Sequence, residues 1–246
     1  MRLLGIWAHP DDEAYLSAGL MRRVMASGGK ATCLTATFGE AGVPQDDPRP
    51  RSVVAALREA ELRQALDVAG ADLLPILGHP DGGCAEVPHE HGVAQVRAAL
   101  EAVRPHVVVT FGPDGITGHP DHGAVQRWVT DAWRQVGRGT LLYATMTDDF
   151  LARNRALHDR VGVFGDHEPV GVPEGEVVLR IELDDCELDR KRRVLAAHAS
   201  QTEGLAAAMG EDTYRTWWVD EDFRRPTEDE ITGAGHSVSA PGLPVG

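Results

Sequence analysis

Short runs of β-forming residues recur along this chain at intervals long enough to hold a helix. They occupy residues 3–7, 31–37, 73–77, 107–111 and 141–145. Strands that alternate with helices build a mostly parallel sheet whose two faces are covered by those helices. The run 107–111 begins with three consecutive valines, and apolar residues at successive positions are typical of a strand buried on both faces. We therefore expect this strand at the centre of the sheet.

The segments between these runs carry apolar residues at helical spacing. Three stripes stand out: Leu62, Ala65, Leu66 and Ala69; Val93, Val96, Leu100 and Val103; and Val125, Trp128, Val129, Ala132, Trp133 and Val136. Residues 177–183 alternate apolar and polar, which predicts a further half-buried strand at an edge of the sheet. The chain is thus predicted to be a single-domain, Rossmann-like α/β protein with helices on both faces. Its active site is expected at the carboxyl ends of the strands.

The length of 246 residues suits one α/β domain with a complete core. We assign residues 1–226 to that domain. From residue 227 the sequence is polar and contains Gly, Ser and Pro, which predicts a flexible C-terminal tail over residues 227–246. Two segments that contain Pro and Gly, 42–50 and 150–176, are candidates for loops that face a substrate.

Charge and cysteine content exclude several classes of protein. The net charge of −14 opposes binding to a nucleic acid or an anionic membrane, because both need Lys and Arg to neutralise phosphate. No apolar stretch approaches the roughly 20 residues of a membrane helix, and no signal-peptide cleavage site follows the first apolar run, so we expect a soluble, cytoplasmic protein. Three separated cysteines form neither a disulfide framework nor a Cys-based zinc cage. A small molecule is the expected partner. The sequence leaves open whether the chain forms a homo-oligomer.

The triplet His-Pro-Asp occurs three times, as "AHPDDE" (8–13), "GHPDGG" (78–83) and "GHPDHG" (118–123). Each copy follows a predicted strand, so position alone does not distinguish them. A catalytic zinc site takes three protein ligands and leaves one position for water. The first copy offers His9, Asp11 and Asp12, and the third places His119 and His122 three residues apart on one side of a helix. The middle copy has fewer such groups.

Each cluster has a simpler explanation when it is taken alone. The Asp-Asp-Glu run would suit the N-cap and acidic first turn of a helix, and a His before Pro would suit a surface turn. Both clusters follow buried strands, and together they favour a metal site built from His and carboxylate groups.

These motifs resemble the PIG-L/LmbE-like superfamily of zinc-dependent N-deacetylases. That superfamily includes the deacetylases of mycothiol and bacillithiol biosynthesis and the N-acetylglucosaminyl-phosphatidylinositol deacetylase. The resemblance rests on "AHPDDE" paired with "GHPDH", on "REAEL" followed by "ALDVAG", on "FGPDGITGHPDHGAV" and on "KRRVLAAHASQ". It extends over residues 3–205.

The resemblance implies a role for each motif residue. His9, Asp12 and His122 would bind zinc, Asp11 would be the general base, and His119 would stabilise the oxyanion. Ferrous iron is also compatible with two histidines and one carboxylate.

Residues beside these motifs carry further expectations. Arg58 and Asp81 align with positions that contact substrate hydroxyls or phosphate in relatives, whereas His79 is expected to be a turn residue. Without the resemblance, Arg58 would be assigned to an exposed ion-pair lattice. We expect Asp121 either to hold His119 charged and oriented or to cap the helix that follows it.

Other residues have two interpretations each. Glu13 is expected to orient a ligand histidine or to cap a helix rather than to bind zinc. His198 would line the pocket or lie buried in a helix. Trp217 and Trp218 would wall the substrate groove or cover the C-terminal helix.

One departure from the resembled deacetylase of the mycothiol pathway concerns the oxyanion. That enzyme has a tyrosine two residues before the position of His119, where this sequence has Thr117. Tyr143 and Tyr214 are candidate substitutes.

The expected function is a zinc-dependent hydrolase that removes the N-acetyl group from an N-acetylglucosaminyl-type small molecule. An amidase or deacylase acting on a thiol conjugate or an antibiotic glycoconjugate is an alternative that keeps the metal. A non-catalytic sugar-binding protein on the same fold is a third. Asp11 disfavours the third, because binding alone has no need of a general base.

Overall fold

The computed structural model describes residues 1–44 and 46–232. Within them, eight strands form one sheet: β1 Arg2–Trp7, β2 Lys30–Thr35, β3 Asp72–Leu73, β4 Val107–Phe111, β5 Thr140–Thr147, β6 Gly171–Val172, β7 Val177–Glu182 and β8 Asp220–Arg224. Ten α-helices accompany them in the same ranges: α1 Asp12–Ala26, α2 Arg51–Ala69, α3 His89–Val103, α4 Gly115–Gly118, α5 Pro120–Val136, α6 Asp148–Val161, α7 Asp185–Ala197, α8 Ala199–Met209, α9 Glu211–Trp217 and α10 Glu228–Thr232. Short 3₁₀ helices lie at Cys84–Glu86 and Glu174–Glu176.

The strand order is β3-β2-β1-β4-β5-β8-β7, with β6 paired to the end of β5. The first five strands of this order are parallel, and β8 runs antiparallel to both of its neighbours. The chain moves outward from β1 through β2 to β3 and then returns to β4 on the other side of β1. In such sheets a crevice opens between the carboxyl ends of the two strands where the direction reverses. That crevice lies between β1 and β4.

The predicted fold class is confirmed. Helices α1, α2 and α7 pack together, and α3 packs with α5, so that the central strands are covered by two helix groups. Val108 and Val109 of β4 are fully buried, as the run of valines predicts. The strand predicted at 177–183 is the edge strand β7. No helix in the described ranges is both long and apolar enough to cross a membrane.

Three elements differ from the sequence-based expectation. The strand predicted at 73–77 is shortened to Asp72–Leu73, because Pro75 has no N–H to donate to a neighbouring strand. The acidic strand β8 was not predicted. The segment 150–176, expected as a loop, begins with most of helix α6.

The predicted tail also differs at its start. Residues 228–232 form helix α10, which is held by hydrogen bonds of 2.7 and 2.8 Å from Arg224 to Glu230 and by a 3.1 Å bond from Arg134 to the carbonyl of Ile231. Residues 233–246 of the predicted tail lie outside the described residues.

A buried ion pair fastens α1 to α7 and β8. The Lys191 ammonium lies 2.9 Å from the Glu221 carboxylate and donates to the carbonyl of Tyr15 at 2.7 Å. Glu221 also accepts the backbone N–H groups of Gly19 and Leu20 at 2.8 and 2.9 Å. Both charges are therefore fully engaged away from water, and they fix the helix that carries Asp12 at its start.

Candidate active site

The three histidines of the first and third motifs meet at the crevice between β1 and β4. His9 lies in the turn between β1 and α1, whereas His119 and His122 lie at the start of α5. Asp12 is the first residue of α1. The sequence separates His9 from His122 by 113 residues, yet Nδ1 of His9 lies 3.1 Å from Nε2 of His122.

Four donor atoms from three residues, two ring nitrogens and both oxygens of Asp12, lie close enough together to surround one metal ion. Asp12 Oδ2 lies 3.7 Å from His9 Nδ1, and Asp12 Oδ1 lies 3.4 Å from His122 Nε2. Tetrahedral zinc with bonds of about 2.0–2.1 Å separates its ligand atoms by about 3.3 Å. The structure thus brings His9, Asp12 and His122 together, at distances near those between the ligands of one zinc ion.

The protonation of the two rings also suits a cation between them. His122 Nδ1 donates to the carbonyl of Gly115 at 2.8 Å, which leaves Nε2 with a lone pair. Burial lowers the pKa of His122 to about 3, so that its ring is neutral. The hydrogen on His9 Nε2 is directed at the Asp81 and Asp121 carboxylates, at 3.1 and 3.3 Å. Without a metal, Nδ1 of His9 is protonated as well and donates to Nε2 of His122 at 3.1 Å. A cation that displaced this one hydrogen would face a lone pair on each ring.

Negative charge surrounds His9. Asp12, Asp81 and Asp121 all lie within 3.7 Å of its ring nitrogens. Burial alone would lower the pKa of His9, but the hydrogen bonds to Asp121 and Asp81 and the charge of Asp12 raise it to about 10. A site that binds a proton this strongly also favours a metal ion.

Other donor sets are close by. One ring nitrogen of His119 lies within 4.8 Å of those of His9 and His122, and His9, Asp81 and Asp121 form a second group of the same size. Because Nε2 of His9 is already bonded to the two carboxylates, the second group is better suited to orienting His9 than to holding an ion.

The backbone before α5 is bent to present its carbonyl to His122. Ile116 has φ 63° and ψ −59°, a conformation that is rare for a β-branched residue. Asp114 caps the turn by accepting the N–H of Ile116 at 2.9 Å. The ring of His122 stacks on Phe111 with ring centres 4.0 Å apart, which fixes its plane.

Asp11 is held in a strained conformation beside the metal ligands. Its φ of 116° lies in the region that L-residues avoid, and such a residue costs about 1–3 kcal/mol unless its surroundings hold it. Arg58 supplies part of that support by donating to the carbonyl of Pro10 at 2.5 Å and to Asp11 Oδ2 at 3.2 Å. Glu13 accepts the N–H of Asp11 at 3.0 Å. Burial raises the pKa of Asp11 to about 6, although the charge of Arg58 opposes the rise.

Glu13 is itself fixed by His198. Their side chains are fully buried, and Glu13 Oε1 lies 2.6 Å from His198 Nε2. His198 is the cap between α7 and α8, so this pair connects the C-terminal helices to the backbone of Asp11. Glu13 therefore orients the loop that carries Asp11, and the expectation that it orients a ligand histidine directly is not met by its contacts.

Arg58 is buried rather than part of an exposed lattice. Its guanidinium also donates to the carbonyl of Gly39 at 2.7 Å, so it ties the loop after β2 to the loop after β1. The exposed ion pair on the same helix is that of Arg63 and Glu59. Asp81 contacts His9 and accepts the N–H of Ala41 at 2.7 Å.

Both sequence-based interpretations of Asp121 are wrong. Its carboxylate faces His9 rather than His119, and it accepts the N–H groups of Gly82 and Cys84 at 2.8 and 2.9 Å. The cap of α5 is His119, whose Nδ1 accepts the N–H of Asp121 at 3.2 Å. The middle His-Pro-Asp motif thus contacts the third one through the hydrogen bond from the Gly82 N–H to Asp121.

The expectation of a charged His119 is also corrected. Burial and the neighbouring His9 and His122 lower the pKa of His119. Because Nδ1 accepts a backbone N–H, the hydrogen of the neutral ring belongs on Nε2. His119 is therefore a neutral donor.

A cavity of about 390 Å³ lies over these residues. The predicted residues His9, Asp11, Asp12, Arg58, Asp81, His119 and His122 all line it. Trp217 and Trp218 line it too, which favours the first of their two interpretations, that they wall the groove. Both segments that were expected to face a substrate contribute to the lining. Segment 42–50 contributes Gly42, and segment 150–176 contributes Val163 and Phe164.

Several functional neighbours were missed by sequence reasoning. Gln201 lines the cavity and donates to the carbonyl of Gly42 at 3.0 Å. Tyr15 also lines the cavity, whereas Tyr143 and Tyr214 are not among its lining residues. The hydroxyl of Tyr143 is bonded to Thr130 at 2.6 Å, and that of Tyr214 to Tyr15 at 2.8 Å. Lys191, His198 and Gln201 all belong to the segment "KRRVLAAHASQ", which is part of the family resemblance. That segment is the sequence signal by which their roles could have been found.

Comparisons with known proteins identify the family of this chain. The model of the PIG-L family, described as GlcNAc-PI de-N-acetylase, matches residues 4–133, which include all three His-Pro-Asp motifs. The 1D-myo-inositol 2-acetamido-2-deoxy-alpha-D-glucopyranoside deacetylase of Rhodococcus opacus strain B4 is 33% identical over 264 aligned positions that cover 90% of each chain. The protein of the same name from Nakamurella multipartita is 31% identical, with 83% of this chain and 80% of the relative covered.

Solved structures share the fold. A conserved protein of Thermus thermophilus superposes with a TM-score of 0.62 at 24% identity, covering 92% of this chain and 94% of its own. The N,N'-diacetylchitobiose deacetylase of Pyrococcus horikoshii gives 0.63 at 15% identity, covering 97% and 87%. The family model matches more than half of this chain, and a relative is 33% identical to it along 90% of its length. This chain therefore belongs to the PIG-L family.

Proposed function

We propose that this protein is a metal-dependent hydrolase that removes the N-acetyl group from an N-acetylglucosaminyl-type small molecule. The observation that carries the proposal is the group of His9, Asp12 and His122 beside Asp11: the two ring nitrogens lie 3.1 Å apart, and each lies within 3.7 Å of an Asp12 carboxylate oxygen. The names of the relatives support the reaction, since those from Rhodococcus and Nakamurella are called deacetylases of an acetamido-sugar of inositol.

His9, Asp12 and His122 would hold zinc, and ferrous iron fits the same donor set. The two ring nitrogens, which share one hydrogen at 3.1 Å, and the surrounding carboxylates support a divalent cation in the place of that hydrogen. A bound zinc ion would lower the pKa of a water molecule towards about 7 and polarise the acetyl carbonyl.

Asp11 is suited to be the general base. Its pKa of about 6 lies close to neutral pH, where a base is both ionised and able to accept a proton. It would take a proton from the attacking water and deliver it to the amine nitrogen as the amide bond breaks. Arg58 and Glu13 would keep its carboxylate aimed at that water.

His119 would stabilise the negative charge that develops on the acetyl oxygen. A neutral imidazole with its hydrogen on Nε2 donates one hydrogen bond into the cavity. Arg58 and Asp81 both line the cavity. We therefore also propose that these two side chains contact the substrate.

Metal analysis combined with an activity assay tests the proposal. We expect one tightly held metal ion per chain and release of amine from GlcNAc-inositol or a related N-acetylglucosaminide. Incubation with a chelator should abolish the release, and added zinc should restore it. Protein that binds no metal after reconstitution with zinc would contradict the proposal.

The Asp121→Asn variant tests the orienting role of this carboxylate. We expect about 10- to 100-fold weaker metal binding, because loss of an orienting partner has this effect on ligand histidines. Competition with a chromophoric chelator measures the affinity. Asp131→Asn, which alters a partly exposed carboxylate paired with His89 and Arg134, is the matched control and should bind metal like the wild type. Unchanged affinity in Asp121→Asn would show that Asp81 alone orients His9.

A further inference from the structure

One side of the cavity has no task in the proposed reaction. It is an apolar wall that comes from α1, from the turn after α6, from α8 and from the end of α9. The wall consists of Leu16, Val163, Phe164, Leu205, Trp217 and Trp218. The histidines, the carboxylates and Arg58 line the same cavity, so its lining combines a charged set of residues with an apolar set.

The polar atoms near this wall are mostly paired with one another. The indole N–H of Trp217 donates to His158 Nε2 at 2.8 Å, and the hydroxyl of the adjacent Tyr15 lies 2.8 Å from that of Tyr214. Besides the Trp217 indole and the Tyr15 hydroxyl, the third polar side-chain atom at the wall is the indole nitrogen of Trp218. A polyol held against the wall would lose its hydrogen bonds to water and regain few of them, which is unfavourable.

Three members of the wall leave apolar surface open to the cavity. Val163, Phe164 and Leu205 are only partly buried, although each packs against the protein core. Covering such surface with an apolar group is favourable in proportion to the area removed from water. Phe164 is backed by the buried ring of His158, with ring centres 4.9 Å apart, so it forms a rigid surface.

We propose that the apolar wall binds an apolar aglycone, an aliphatic or aromatic group joined to the amino sugar of the substrate. This rests on the proposed function, in which the acyl group is an acetyl group held on the metal side of the cavity. An acetyl group has a single methyl and cannot cover the wall. The wall therefore receives the half of the substrate that bears the amine, and the preferred substrate is a GlcNAc glycoside of an apolar alcohol rather than of inositol.

Two glycosides with six-membered aglycone rings provide a matched comparison. Cyclohexyl and inositol α-glycosides of GlcNAc differ in the hydroxyls of the aglycone ring, and kcat/KM is measured for both with the zinc-loaded protein. We expect the cyclohexyl compound to be preferred by about tenfold or more, the discrimination that a well-packed apolar pocket supplies. Phe164→Ala and Leu205→Ala should each remove most of this preference. Val178→Ala, an exposed residue of edge strand β7, is the control and should retain it.

Binding of the amine products separates failure of the subsite from failure of the reaction. Calorimetry with cyclohexyl glucosaminide and glucosaminyl-inositol requires no turnover. Tighter binding of the cyclohexyl compound that is lost in Phe164→Ala supports the wall even if no acetyl group is released. Equal binding, or preference for the inositol compound, overturns the proposal. Faster hydrolysis of N-hexanoyl than of N-acetyl glucosaminide overturns it too, because the wall would then receive the acyl half.

Discussion

Replacing Asp11 by Asn is expected to lower kcat by about 100- to 10,000-fold, the usual contribution of a positioned general base. Asn has the same shape as Asp but cannot accept a proton from water. Because Asp11 is not among the three proposed ligands, the variant should bind zinc with wild-type stoichiometry. Amine release under saturating substrate measures kcat, and metal analysis of the same sample measures the zinc.

Two results would separate a base from a merely structural residue. A variant that loses turnover and metal together would show that Asp11 holds the site rather than the proton. A variant that keeps full activity would transfer the role of base to another group that lines the cavity. The thermal unfolding curve serves as the control, because the backbone of Asp11 is already strained and its loop must remain folded.

Replacing Lys191 by Met is expected to destabilise the protein by about 3–5 kcal/mol, because the Glu221 carboxylate would remain buried without its counter-ion. The side chains of Lys191 and Glu221 are 4% and 0% exposed, so water cannot compensate for the loss. The free energy of unfolding in urea measures the effect. Arg63→Met removes the exposed pair with Glu59 and should cost only about 0.5 kcal/mol.

A double variant distinguishes charge from packing. In Lys191→Met, the further change Glu221→Gln removes the unpaired charge but keeps an acceptor for the N–H groups of Gly19 and Leu20. Part of the lost stability should return. If the double variant is less stable than Lys191→Met alone, the cost of the first substitution lies in packing and not in the buried charge.

The fold could be predicted because its signal is local. Each parallel strand except the two-residue β6 was found as a run of β-forming residues, although β3 is shorter than the predicted run, and each helix stripe was found from its own spacing. The failure at strand β8 has a cause that is not local. Strand β8 reads as acidic in sequence, but its charged residues are neutralised by partners elsewhere: Glu221 by Lys191, Asp222 by Arg180 and Arg224 by Glu230.

The proposed ligands could be named before the structure because the motif resemblance identified them. The contacts among the remaining groups could not. Asp121 is next but one to His119 in sequence, and adjacency suggested a pair, yet its carboxylate contacts His9 and accepts the N–H groups of Gly82 and Cys84. The buried partner of Glu13 lies 185 residues away. A side-chain contact over such a distance is decided by how helices pack, which no local spacing encodes.

The sequence by itself determined the α/β class, the central position of the valine-rich strand, and the residue types available for a metal, since periodicity and composition are properties of the chain. Only the tertiary structure decided which carboxylate orients which histidine, which tyrosine reaches the cavity, and that an apolar wall lines the same cavity as the charged groups. Its members come from four separate segments, and they become one surface only when the packing of α1, α6, α8 and α9 excludes water between them.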